Sequence, residues 1–98
     1  MTEDERAVLG RFFQGERLAS LPAQRAKRLV VLERLALEFE PGERYLEPEV
    51  NARLGRFDEE DPTTLRRALV DEGFLDREPV TTDEGRSSVV YWRSGGRL

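Results

Sequence analysis

The side chains with chemistry to offer are mainly arginines. Arg66 and Arg67 stand together in a stretch that also carries Thr63, Thr64 and Val70 away from its apolar stripe of Leu65, Ala68 and Leu69. A guanidinium holds phosphate through parallel N–H bonds or reads O6 and N7 of guanine, and a Thr hydroxyl can bond either a phosphate or a base edge. Arg77 and Arg86 follow downstream, and Lys27 and Arg28 form a second basic pair upstream. The set suits double-stranded DNA. Thr63, Thr64, Arg66, Arg67 and Val70 would meet the major groove, Arg77 and Arg86 an adjacent backbone, and Lys27 and Arg28 a phosphate near a helix start. One geometric fact opposes the full set. Neighbouring residues on a helix point about 100° apart, so Arg66 and Arg67 cannot both enter one groove. The structural alternative is that one pairs with a nearby carboxylate and the other folds over Tyr91 or Trp92.

Other chemistries have less to work with. The chain has no His and no Cys, which excludes thiol nucleophiles, disulfides and an imidazole base or ligand. A Ser or Thr nucleophile would need Lys27, the single Lys, or paired carboxylates, and no spacing points to either. We expect no enzyme, no catalytic residue and no cofactor. The run Asp58-Glu59-Glu60-Asp61 lacks the ligand spacing and Gly turn of a calcium loop, so no metal is expected. Acidic charge suits the start of a helix. Tyr45, Tyr91 and Trp92 could stack on a base, but Trp92 is expected in the core and Tyr91 is left open. Asn51 is expected to hydrogen-bond a neighbouring connection.

These residues need elements to hold them. The 98 residues fit one small domain, and 38% apolar content with 8 Gly allows a modest core. The net charge of −4 counts against DNA, although a local basic face can bind while the rest of the surface is acidic. No apolar run approaches the roughly 20 residues of a membrane span, and the start MTEDERAVLG does not resemble a signal peptide, so the cytoplasm is the expected location.

Thr2 and Glu5 have the spacing of a capping box for a first helix, Glu3 to Phe13, with Val8, Leu9, Phe12 and Phe13 as its apolar stripe. Gln14-Gly15 ends it, and Glu16 to Leu21 reads as a connector. Pro22 is placed to open a long helix that buries Leu29, Leu32, Leu35, Ala36 and Phe39, with Val31 on the flank, and Glu40-Pro41-Gly42 stops it. Glu43 to Leu46 is extended, and Pro48 restarts a helix with Glu47 at the cap position. Asp61 caps the next helix, Pro62 takes its first position, and Gly73 ends it. Phe74 to Glu78 and Ser88 to Arg93 read as strands, joined by the loop Pro79 to Ser87.

A short helix with a Thr/Arg face, running through Gly into a strand pair, is how the third helix and wing of a winged-helix domain are built. The predicted fold is therefore α+β and winged-helix-like, about four helices plus a C-terminal β-hairpin. It forms one domain over residues 1–98, with 1–15 an N-terminal helix and 94–98 a frayed tail.

The stretches GERLASLP, KRLVVLERLALEFEPGERYLEPEVNARL, TLRRALVDEGFLDRE and YWR resemble a prokaryotic domain of unknown function, found alone or fused to regulators that include ArsR-type winged-helix proteins. The similarity runs from about Val8 to Arg93. Its most specific parts are E-x-E-V-N at Glu47–Asn51, T-L-R-R at Thr64–Arg67 and the final Y-W-R. The resemblance implies an association with transcriptional regulation. Two positions depart from it. Leu46 stands where members often have a Thr that could cap, with Pro48 available to preorganise the turn. No His precedes T-L-R-R, so any chemistry of that His is not shared here.

The function expected on these grounds is that of a DNA-binding transcriptional regulator or accessory module. The expected partners are double-stranded DNA, a second copy in a homodimer and a regulatory protein; no membrane is expected. The rival is a protein–protein interaction module of the same fold, for which an exposed patch of Val8, Leu9, Phe12 and Phe13 would speak. A small-ligand pocket near Tyr45 is a third reading.

Overall fold

Asp61 fixes the start of the central helix: its carboxylate accepts from the backbone N–H of Thr64 at 3.1 Å and from the Thr64 hydroxyl. Gly73, at φ 84°, fixes the other end. The Phe74 N–H donates to the Leu69 carbonyl and the Gly73 N–H to the Val70 carbonyl, so the last carbonyls are satisfied as the chain turns into a strand. The remaining elements arrange themselves around this helix. The computed structural model describes residues 2–94. In chain order they form α1 (Glu3–Phe12), β1 (Phe13–Gln14), β2 (Arg17–Leu18), α2 (Arg25–Ala36), β3 (Arg44–Leu46), α3 (Glu47–Leu54), α4 (Pro62–Asp71), β4 (Leu75–Thr81) and β5 (Ser87–Arg93).

The three longer-range strands make an antiparallel sheet in the order β3-β5-β4. Tyr45, Tyr91 and Arg77 share one row, and Arg44, Trp92 and Asp76 the next, on the opposite face. The succession α2-β3-α3-α4-β4-β5, with this strand order, is winged-helix-like. In it α3 and α4 stand in the places of a helix-turn-helix, and the β4–β5 hairpin in that of the wing. The core gathers Val31, Leu32 and Leu35 of α2, Phe39, Val50 and Leu54 of α3, Phe57, Leu65 and Leu69 of α4, and Tyr45, Leu75 and Tyr91 of the sheet.

Several boundaries differ from those the sequence predicts. The capping box of α1 forms as expected, with Thr2 and Glu5 exchanging backbone bonds. But α1 ends at Phe12, because Phe13-Gln14 pairs with Arg17-Leu18 as a small hairpin that turns at Gly15, φ 65°. The connector reading of Glu16 to Leu21 is corrected to that extent. Pro22 does not open α2. It is buried in the connection, and α2 begins at Arg25 behind Gln24, which makes no side-chain cap. Val31 is fully buried rather than flanking. Leu46, not Glu47, occupies the cap position of α3, and Glu47 is its first helical residue. Strand β4 runs through Pro79 to Thr81, since an edge strand tolerates a residue without an N–H, and the loop shrinks to residues 82–86.

Ser94 is not frayed: its N–H donates to the Phe74 carbonyl at 3.1 Å and its hydroxyl to the Gly73 carbonyl. The rest of the predicted tail, 95–98, lies outside the described residues. No helix of the described residues is long and apolar enough to cross a membrane.

Candidate nucleic-acid interface

α4 turns Leu65, Arg66 and Leu69 inward and leaves Thr64 and Arg67 exposed, with Thr63 and Val70 half-buried at the edges. The adjacent arginines are thus separated by the helical step of about 100°. Arg66 does not face solvent. Only 8% of it is exposed, and its guanidinium donates to the side-chain amide oxygen Oδ1 of Asn51 on α3. It lies 3.5 Å from Glu47 and 5.8 Å from the centre of the Tyr91 ring. Tyr91 is fully buried and donates its hydroxyl to the same Glu47 carboxylate at 2.7 Å. Burial first, and the bond to Glu47 second, push the Tyr91 phenol above its ordinary value of 10.0. The Nε of Arg66 is buried without a partner. The expectation that Arg66 contacts DNA is corrected: it ties α4 to α3 and the sheet. Asn51 does hydrogen-bond, but to α4 rather than to a connection.

Arg67 is the cation that α4 offers to solvent. It has no ion pair among the described residues. The carboxylates that precede α4 are partly engaged. Asp58 accepts from the N–H groups of Glu60 and Asp61 at 3.1 Å each, and Glu59 pairs with Arg17 at 2.8 Å. The Thr64 hydroxyl first, and its backbone N–H second, hold the Asp61 carboxyl below the ordinary 3.8. A depressed folded pKa means that the ionised cap contributes above the unfolded value and is lost as pH falls through the folded one. Asp61→Ala should therefore melt below wild type at pH 7, and the gap should narrow at about pH 2.5. Thermal melts followed by circular dichroism test this; an equal gap at both pH values would mean that the cap does not act through its charge.

The other predicted contacts divide. Arg77 and Arg86 are exposed on β4 and the hairpin loop, with Asp83 and Glu84 beside Arg86 at the tip. Lys27 turns toward α1, lining a cleft with Asp4, Glu5 and Val8. Arg28 turns the other way, toward α4, and is not free. It donates to the Ala23 carbonyl at 2.8 Å and to Glu72 at 3.2 Å. Arg25 reaches the other oxygen of Glu72 at 3.0 Å. The Arg25 bond, and behind it the Arg28 bond, hold the Glu72 carboxyl below its ordinary 4.5. Arg28, Thr64 and Arg67 line one cleft of about 310 Å³ between α2 and α4, with Asp71 and Glu72 at its wall. The Glu72 pairing carries no sequence signal, since its partners lie far up the chain on another helix.

The aromatics take other roles than expected. Tyr91 is the core residue, whereas Trp92 lies on the outer sheet face with the Arg44 guanidinium 4.5 Å from its ring centre. Tyr45 is buried. Its hydroxyl accepts from the Glu40 N–H at 2.8 Å, and Arg53 sits 4.7 Å from its ring centre. Val8, Leu9, Phe12 and Phe13 lean on the core as partly buried residues rather than forming a free patch.

Comparison with known proteins adds the lineage. No curated protein and no solved structure matches the chain. A family match covers residues 17–93, from β2 to the end of β5, and so includes the helix-turn-helix, the wing and the α2–α4 cleft. On that match the chain belongs to the DUF2087 family, described as uncharacterized proteins conserved in bacteria.

Proposed function

We propose that this chain is a DNA-binding transcriptional regulator or accessory module. It would lay the Thr64/Arg67 face of α4 in the major groove, with Thr63 and Val70 at its edges and Arg77 and Arg86 of the wing toward an adjacent backbone. The observation that carries the reading is Arg67. It stands exposed in the middle of α4, without an ion pair among the described residues, while Asp61 and Glu72 near it are engaged in a cap and in ion pairs. Asp71 and Glu60 remain as repulsive charges, so the affinity rests on few phosphate contacts and falls with salt at a shallow slope set by their number.

The test is fluorescence anisotropy with random and genomic duplexes at low and physiological salt. Arg67→Ala is expected to weaken binding about tenfold and to lower the salt slope by about 1. Absence of wild-type binding at low salt would refute the reading.

A second reading, a protein-interaction module, is favoured by one surface. Leu37 is 53% exposed beside a cleft of about 270 Å³ between α1 and α2, lined also by Leu9 and Val30. A second copy or a regulatory protein would be its occupant.

A further inference from the structure

We infer that the α2–α4 cleft is a binding site for a phosphate group, held closed to it in the free chain by Glu72. The inference deepens the DNA reading and rests on it only for the source of the phosphate. Arg25 and Arg28 converge on one carboxylate. The Nε and Nη2 of Arg25 donate to Oε1 of Glu72 at 3.3 and 3.0 Å, and Nη2 of Arg28 donates to Oε2 at 3.2 Å. Two guanidinia aimed at one set of acceptor oxygens is the arrangement that also holds phosphate, which brings more oxygens and more charge.

The cleft has what that extra charge would use. Arg67 reaches it with no ion pair of its own, and Thr64 adds a side chain on the same wall. The charges at the cleft and its Arg25 rim are three cations, Arg25, Arg28 and Arg67, against two carboxylates, Asp71 and Glu72, a net of one positive charge. Neutralising Glu72 doubles that net charge and frees three guanidinium donor atoms, two from Arg25 and one from Arg28. The Arg25 side chain is 51% exposed, so its pair with Glu72 is screened by water and weak enough to exchange. Glu72 is thus a resident carboxylate in a phosphate's place, and Asp71 at the wall keeps the wild-type site weak.

The experiment titrates the folded chain with sodium pyrophosphate, against sodium chloride at matched ionic strength, following backbone amides by NMR. Wild type, Glu72→Gln, Glu72→Asp and Glu72→Gln/Arg28→Ala are compared, each checked for fold by circular dichroism. The expected result is a weak response in wild type confined to amides around residues 25–28 and 64–72. Glu72→Gln should bind about fivefold tighter, from removal of one nearby negative charge. Glu72→Asp should behave as wild type, and the double variant should lose the gain.

Glu72→Gln binding no tighter than wild type, or shifts that map to the wing instead, would overturn the inference. A duplex-DNA arm separates it from the DNA reading. Pyrophosphate bound in the cleft by a chain that ignores DNA leaves the site standing and removes the reading. DNA bound through Arg67, with nothing gained in Glu72→Gln, does the reverse.

Discussion

Arg66→Ala is expected to lower the unfolding free energy by about 2–3 kcal/mol, the largest effect of any single charge among the described residues. The side chain is 10% exposed, so its removal opens space under α4 and takes the donor from Asn51 and the cation from Glu47. Glu47 is 36% exposed and keeps its bond from Tyr91, so water and the phenol together limit the loss, which is why the figure lies below that of a fully buried pair. In a domain of this size the fall in Tm is about 10–20 °C. Arg66→Met restores the apolar stem and removes the unpartnered Nε, so it should recover about half of the deficit. Urea unfolding of the three proteins reads both numbers. A loss below about 1 kcal/mol in Arg66→Ala would show that the polar cluster does not hold α4 to α3. The result also bears on function: a double Arg66/Arg67 variant would report unfolding, so DNA contact has to be tested at Arg67 alone.

How far this could be read beforehand depended on whether the cause was local. Asp61 and Gly73 bound α4 through hydrogen bonds within a turn of themselves, with the fixed φ of Pro62 in the first turn, and the capping box of Thr2 and Glu5 is equally local; both are legible in a short window. Pro22 has the same local signature as Pro62, yet burial beside the core, not helix initiation, determines its place. Pro79 reads as a strand breaker until β4 is known to be an edge. Period-two alternation shows that Tyr91 and Trp92 face opposite ways, but only the row shared with Tyr45 decides that Tyr91 turns inward. Arg66 and Arg67 are the sharpest case. They are the same residue type, one step apart, and tertiary partners on α3 and β5 assign one to the interior and the other to solvent. The α2–α4 cleft was illegible for the same reason: Arg25, Arg28 and Glu72 meet only once the helices cross.

Phe57→Ala is the other large effect, expected at about 3–5 kcal/mol. Phe57 is 2% exposed and lies between the parts of the chain that precede α2 and the helix-turn-helix. Its ring meets Phe13 edge to face, with centroids 6.1 Å apart, and the guanidinia of Arg34 and Arg56 stand 5.8 and 5.9 Å from its centre. Its carbonyl accepts the N–H of Leu18 at 2.9 Å. Against a total stability of about 5–15 kcal/mol, such a loss leaves a marginal domain, with Tm lower by about 15–30 °C.

The contribution can be divided, because the family match begins at Arg17 and leaves Phe13 outside while including Leu18 and Phe57. A double-mutant cycle between Phe13→Ala and Phe57→Ala should give a coupling of about 0.5–1.5 kcal/mol, the edge-to-face pair alone. Most of the Phe57 cost would then belong to the packing of the winged helix itself. Hydrogen exchange locates the damage: the amide of Leu18 should lose protection in Phe57→Ala well before those of α4. If the coupling approached the whole cost of Phe57→Ala, α1 and its hairpin would be part of the core rather than an addition to it, and the matched segment would need them to fold.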